Sequence, residues 1–198
     1  MPYALNWAFV DTQAVDVWTI DLNAPRRALL APEEEVRAAR FRFEADRLHW
    51  TSARSALRST LARYLSAPPE EIVFHYGTHG KPSTEGIEFN LSHARGRAMI
   101  AVSERVPVGI DIEAIRENIE IDKLLRRIGE TCVQGTKEQL FQVWTRREAR
   151  TKALGSPLME IPPANVIAVD LMAPRGFAAS VALVGYIPSI RHRGAAES

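Results

Sequence analysis

Two long stretches of helical periodicity, one in each half of the chain, limit the folds open to it. Between about 45 and 65, Trp50, Ala53, Leu57, Leu61 and Tyr64 recur at helical spacing and make an apolar face. Arg47, Arg54 and Arg58 run in a narrow stripe beside that face. Pro68-Pro69 ends the segment, since proline cannot continue a helix. Between about 137 and 154, Leu140, Val143, Trp144 and Leu154 make a second buried stripe. Thr136 with Gln139 reads as a capping box, and Gly155 followed by Pro157 reads as a stop. A shorter helix is expected near 121–128.

The rest is strand-like. Segments 15–20 and 71–76 are rich in β-branched and aromatic residues. So are 87–91, 98–102 and 108–112, and Pro107 is tolerated at the start of the last. Segments 166–171 and 177–184 form a C-terminal hairpin around Ala-Pro-Arg-Gly. Each half thus holds one long helix and several strands, which is an α+β pattern. No direct repeat is visible, and the polar tail 191–198 is expected to fray.

Composition narrows the function classes. A chain of 198 residues with 46% hydrophobic content builds a sizeable core without staples. A net charge of +1 gives no bulk attraction to nucleic acid or to a membrane surface. The single cysteine, Cys132, permits no internal disulfide and no cysteine-rich zinc site. No basic-then-apolar leader and no apolar run of ~20 residues is present, so the cytoplasm is the expected compartment.

Chemistry gathers in three blocks. Asp111 and Glu113 are two apart in a strand, so they share a face opposite Val108, Ile110 and Ile112. Paired carboxylates repel unless a cation joins them, and oxygen ligands suit magnesium, manganese or calcium. Taken alone, they read first as solvated acids at a strand end. Glu148 lies at the edge of the second helical stripe, with Lys152 one turn on. That pair is either a metal ligand or base beside a phosphate-binding lysine, or a plain i,i+4 ion pair. Arg147 falls inside the stripe and calls for a buried anionic partner or room to snorkel. Lys81 in a Gly-Lys-Pro turn, Ser92-His93 after a strand, and Arg54 and Arg58 on the first helix are candidate phosphate contacts. No Walker A loop or Gly-rich dinucleotide fingerprint occurs.

Taken together the blocks resemble the 4′-phosphopantetheinyl transferase superfamily, of the larger type that activates peptide and polyketide synthetases. Gly80-Lys81-Pro82 with Phe89-Asn90-Leu91-Ser92-His93 is similar to its first motif. Gly109-Ile110-Asp111-Ile112-Glu113 is similar to the second, and Trp144 through Lys152 to the third. The stretch from Phe41 to Arg58 resembles the family's Arg-bearing first helix. The resemblance implies an α+β fold of two similar α/β lobes, 1–104 and 105–198, related by a pseudo-two-fold axis and joined near 103–107. It implies that coenzyme A lies between the lobes as co-substrate and that an apo carrier protein is the acceptor. It places Mg2+ on Asp111, Glu113 and Glu148. It assigns coenzyme contacts to Arg58, Lys81, Ser92, His93 and Lys152, with Arg37 a lesser candidate, and catalysis to Glu148 and Lys152. Because one chain supplies both walls, a monomer is expected.

Three departures stand out. Arg147 replaces a usual lysine, Ala94 replaces a frequent serine, and 128–133 lacks the acidic Phe-Ser-containing pattern common there. Arg147 and the altered middle segment keep open a binding module that has lost turnover. A magnesium-dependent phosphohydrolase is a further reading, without a second metal cluster in the sequence to support it.

Overall fold

The computed structural model describes residues 11–24, 26–130 and 134–194, so Cys132 and the end of the 128–133 segment lie outside the described residues. Strand β1 (Thr12–Asp21) sends Val15 and Val17 to one face and Trp18 and Ile20 to the other. Side chains alternate along an extended chain, and here both faces are buried. That places β1 inside a four-stranded sheet of order β4-β5-β1-β9. Strands β4 (Glu88–Ala94) and β5 (Arg97–Ser103) form a hairpin antiparallel to β1. Strand β9 (Ile187–Arg193) returns from the far end of the chain and lies parallel to β1.

Helix α2 (Glu44–Leu65) covers one face of this sheet. Its Ala53, Ala56, Leu57 and Leu61 pack with Trp18, Ile20, Ala98, Ile100 and Val102. The other face, with Val15, Val17, Met99 and Ala101, meets Val108, Ile110, Ile112, Val181 and Leu183 of a second sheet. That sheet is three-stranded and antiparallel, with β8 (Phe177–Val184) between β6 (Val108–Ala114) and β7 (Val166–Asp170). Its outer face carries helix α4 (Lys137–Leu154), flanked by α3 (Ile121–Arg127). The layer order is therefore helix, sheet, sheet, helix, a mixed α/β arrangement.

Helix α4 begins and ends where its caps predict. Thr136 accepts from the Gln139 N–H, Gln139 reaches back to the Thr136 N–H, and Gly155 takes the left-handed C-cap at φ 66°. Four expectations need correction. Segment 71–76 is not one strand: a 3-10 turn at Pro69–Glu71 precedes a two-residue strand β2 (His75–Tyr76), which pairs with β3 (Pro82–Ser83). Arg191, His192 and Arg193 do not fray, because β9 is paired with β1 and both arginines hold the buried Asp16. Leu154 is 40% exposed rather than part of the stripe. Arg54 and Arg58 are buried beneath a short helix that spacing did not reveal, α1 (Pro32–Ala38).

Candidate active site

Strand β6 turns Gly109, Asp111 and Glu113 toward α4 while Ile110 and Ile112 enter the core between the sheets. Gly109 sets how close the helix comes. A Cβ there would stand 2.1 Å from the Ala149 carbonyl oxygen and 2.3 Å from the Ala153 nitrogen, both backbone atoms. The bare backbone lets α4 lie flush on β6, which brings Glu148 and Lys152 beside the strand's carboxylates. The free edge of β6 is held by β4. Asn90 Oδ1 accepts from the Ile110 N–H at 2.9 Å, and Ser92 Oγ from the Ile112 N–H at 3.4 Å.

Three elements therefore meet at Asp111, which is 2% exposed. Ser92 Oγ donates to its Oδ1 at 2.8 Å, and Lys152 Nζ donates to the same oxygen at 2.5 Å. Lys152 also lies 3.2 Å from Ser92 Oγ and 3.8 Å from Glu148 Oε2. Asp111 Oδ2 is buried and has no hydrogen-bond partner among the described residues. A buried carboxylate oxygen left bare costs free energy, so this one is suited to a cation. Asp111, Glu113 and Glu148 carry oxygen donors, the kind a hard divalent cation takes, but among the described residues no three His, Cys, Asp or Glu side chains stand together as a metal site. Glu113 pairs with Arg116 at 3.6 Å.

The carboxylates are electrically strained. Burial, then the Asp111 charge, raises Glu113 above the usual 4.5. Burial raises Glu148 as well; Lys152 opposes that, and the Asp111 and Glu113 charges add to it. His93 stands at the rim in a cavity of about 430 Å³ lined by Phe41, His49, Trp50 and Arg95 among others. Desolvation, then the charges of Lys152 and His49, pushes its pKa below 6.5.

The sequence matches a known lineage. A family model described as 4′-phosphopantetheinyl transferase, N-terminal, matches residues 23–105. The 4′-phosphopantetheinyl transferase HetI of a Nostoc species is 32% identical over 168 residues, covering 74% of this chain and 71% of the relative. This chain belongs to the 4′-phosphopantetheinyl transferase family. The gsp transferase of Aneurinibacillus migulanus is 36% identical, over 50% of this chain and 45% of that protein. The AcpT transferase of Salmonella typhimurium is 30% identical, over 62% and 66%.

Within this transferase the expected contacts divide. Ser92, Asp111, Glu148 and Lys152 are gathered at one point, with Glu113 and His93 beside it. Lys81 is adjacent but turned away: its Nζ donates to the Val108 carbonyl at 3.1 Å and the Ala153 carbonyl at 2.8 Å, and burial lowers its pKa. Arg58 is not at the cluster. It is 1% exposed, bound to Glu34 at 2.6 Å and to the Pro69 and Ile72 carbonyls at 2.7 and 3.0 Å. Arg54 shares Glu34, and its guanidinium lies 4.0 Å from the Phe74 ring centroid. Arg37 stacks over Trp50 at 5.4 Å, at the cavity that holds His93. Arg147 has the anionic partner its position demands, Glu130 at 3.6 Å, and donates to the Glu160 carbonyl at 2.8 Å.

Sequence reasoning passed over Gly109, Asn90 and Trp144 as site residues. All three sit inside recognised motifs. The roles of the first two, close approach and edge capping, depend on which strand lies beside which.

Proposed function

We propose that this transferase moves the 4′-phosphopantetheine arm of coenzyme A onto a serine of an apo carrier protein, releasing 3′,5′-ADP. One observation carries the reading: Ser92, Asp111, Glu148 and Lys152, from β4, β6 and α4, converge beside a buried carboxylate oxygen that has no hydrogen-bond partner among the described residues. Asp111, Glu113 and Glu148 would hold Mg2+. The ion, when bound, neutralises pyrophosphate charge and the developing charge on the leaving oxygen.

The residues do the rest by position and electrostatics. Glu148 takes the proton of the incoming serine. It stands one turn before Lys152, 3.8 Å from its ammonium, beside the Asp111 that Lys152 holds. The serine oxygen bonds to the β-phosphorus, the bond from that phosphorus to the bridging oxygen breaks, and the electron pair leaves with 3′,5′-ADP. Lys152 meets phosphate charge, His93 offers a hydrogen bond to a phosphate oxygen, and Ser92 holds Asp111 in place. Lys81 and Arg58 act through the elements they hold, Lys81 on β6 and α4 and Arg58 on α2. The halves 1–104 and 105–198 are two α/β lobes related by a pseudo-two-fold axis, and a monomer is the working unit.

Intact-protein mass spectrometry tests this on a panel of apo carrier proteins with coenzyme A and Mg2+. A gain of one phosphopantetheine that a chelator abolishes is the expected result. Coenzyme A binding with no gain on any carrier would replace the transferase reading with that of a binding module.

A further inference from the structure

We infer that Lys152 is a tethered counter-ion: in the resting protein its ammonium fills the locus beside Asp111, and a divalent cation must displace it to bind. The inference rests on the magnesium-assisted reading above and adds a control on that same site.

The geometry is that of one cation among several anions. Lys152 Nζ is 2.5 Å from Asp111 Oδ1 and 3.8 Å from Glu148 Oε2, with Ser92 Oγ at 3.2 Å. Among the described residues, no three His, Cys, Asp or Glu side chains form a ready cage for a metal. The ammonium completes the cluster instead. Glu148 also feels Glu113, which carries its ion pair with Arg116, and His93 at the rim feels the Lys152 charge.

The two partners differ in freedom. The Asp111 side chain is 2% exposed and that of Lys152 is 31% exposed. Asp111 is fixed on β6 and held by Ser92, so it stays when its counter-ion changes. Lys152 has a flexible four-carbon stem in the last turn of α4 and can turn outward without moving the helix. A divalent ion entering at the unpartnered Asp111 Oδ2 would repel the ammonium across the same carboxylate. Once released, Lys152 is available to a phosphate. Metal loading thus converts a structural lysine into an anion-binding one, and it precedes productive seating of a pyrophosphate.

The test uses the full chain without coenzyme or carrier, with Mn2+ as the probe. Titration followed by electron paramagnetic resonance should give Lys152→Met an affinity about tenfold tighter than the wild type. The vacated locus no longer has to be freed before the ion binds. Amine labelling of the wild type, mapped by mass spectrometry, gives a second readout that needs no variant. Lys152 should be protected alone and become reactive when Mn2+ is added. Equal or weaker Mn2+ binding by Lys152→Met, no binding by either protein, or labelling that the metal leaves unchanged would each overturn the inference. Neither readout depends on group transfer. A protein that shows the exchange yet modifies no carrier would overturn the functional reading alone. An active transferase whose Lys152 stays protected would overturn this inference alone.

Discussion

Arg58 looks from its spacing like a cation on an open helical stripe, yet every partner the structure gives it is internal. Glu34, which holds it, comes 24 residues earlier, in a helix only seven residues long. Burial raises the Glu34 carboxyl, but hydrogen bonds from Arg58, the Ala31 N–H and Arg54 outweigh this and hold it below 4.5. Arg58→Ala should therefore act on stability. Removing one member of a buried ion pair costs on the order of 3 kcal/mol, which urea denaturation would register. The KM for coenzyme A and for its 3′-dephospho form should move together. A variant of normal stability that lost affinity only for coenzyme A would return Arg58 to a phosphate contact. Asp111 and Glu113 were easier to read, because a two-residue spacing in a strand settles which face they share. Lys81 was not, since the carbonyls that receive it belong to β6 and α4, elements brought to it only by the fold.

Helix α4 was legible end to end because its caps are local: Thr136, Gln139 and Gly155 interact within a turn of where they stand. Strand β9 was not, because nothing near Ile187 marks its partner. It holds Pro188 and two arginines, and its neighbour β1 lies at the other end of the chain. What secures β9 is Asp16. Its carboxylate accepts from Tyr64 at 2.6 Å, Arg191 at 2.6 Å and Arg193 at 3.2 Å. Burial raises Asp16, but these three hydrogen bonds outweigh it and hold the pKa below 3.8, while burial and then Asp16 push Tyr64 up to about 12. The sign of the linkage follows. Below 3.8 the unfolded chain binds more protons than the folded one, so stability from Asp16 is whole above that value and drains away as pH falls through the lowered one. Asp16→Asn should be less stable than the wild type at pH 6 and should lose less on acidification below pH 4. Denaturation curves across that range would check it, and parallel acid limbs in the two proteins would remove Asp16 from the account.

At the scale of the whole molecule, the halves 1–104 and 105–198 read as separate lobes in sequence but share their structure. Strand β9 belongs to the second half and completes the first half's sheet along Thr12 to Trp18. Asn90 and Ser92 of the first half cap the edge of β6 in the second. The core between the sheets takes Val15, Val17, Met99 and Ala101 from one side and Val108, Ile110, Val181 and Leu183 from the other. Cutting between 104 and 105 would expose that apolar face on both fragments and leave β1 with an unpaired edge, an invitation to aggregate. Neither fragment should give a cooperative melt alone, whereas co-expression should restore a complex that melts as one unit and binds coenzyme A. The candidate site gives the reason that matters for function: Ser92 comes from one half, and Asp111, Glu148 and Lys152 from the other, within hydrogen-bond or ion-pair reach. A soluble 105–198 fragment with its own sharp transition would mean that the second lobe folds without its partner. The shared strand and shared core would then be a docking of two domains rather than one cooperative fold.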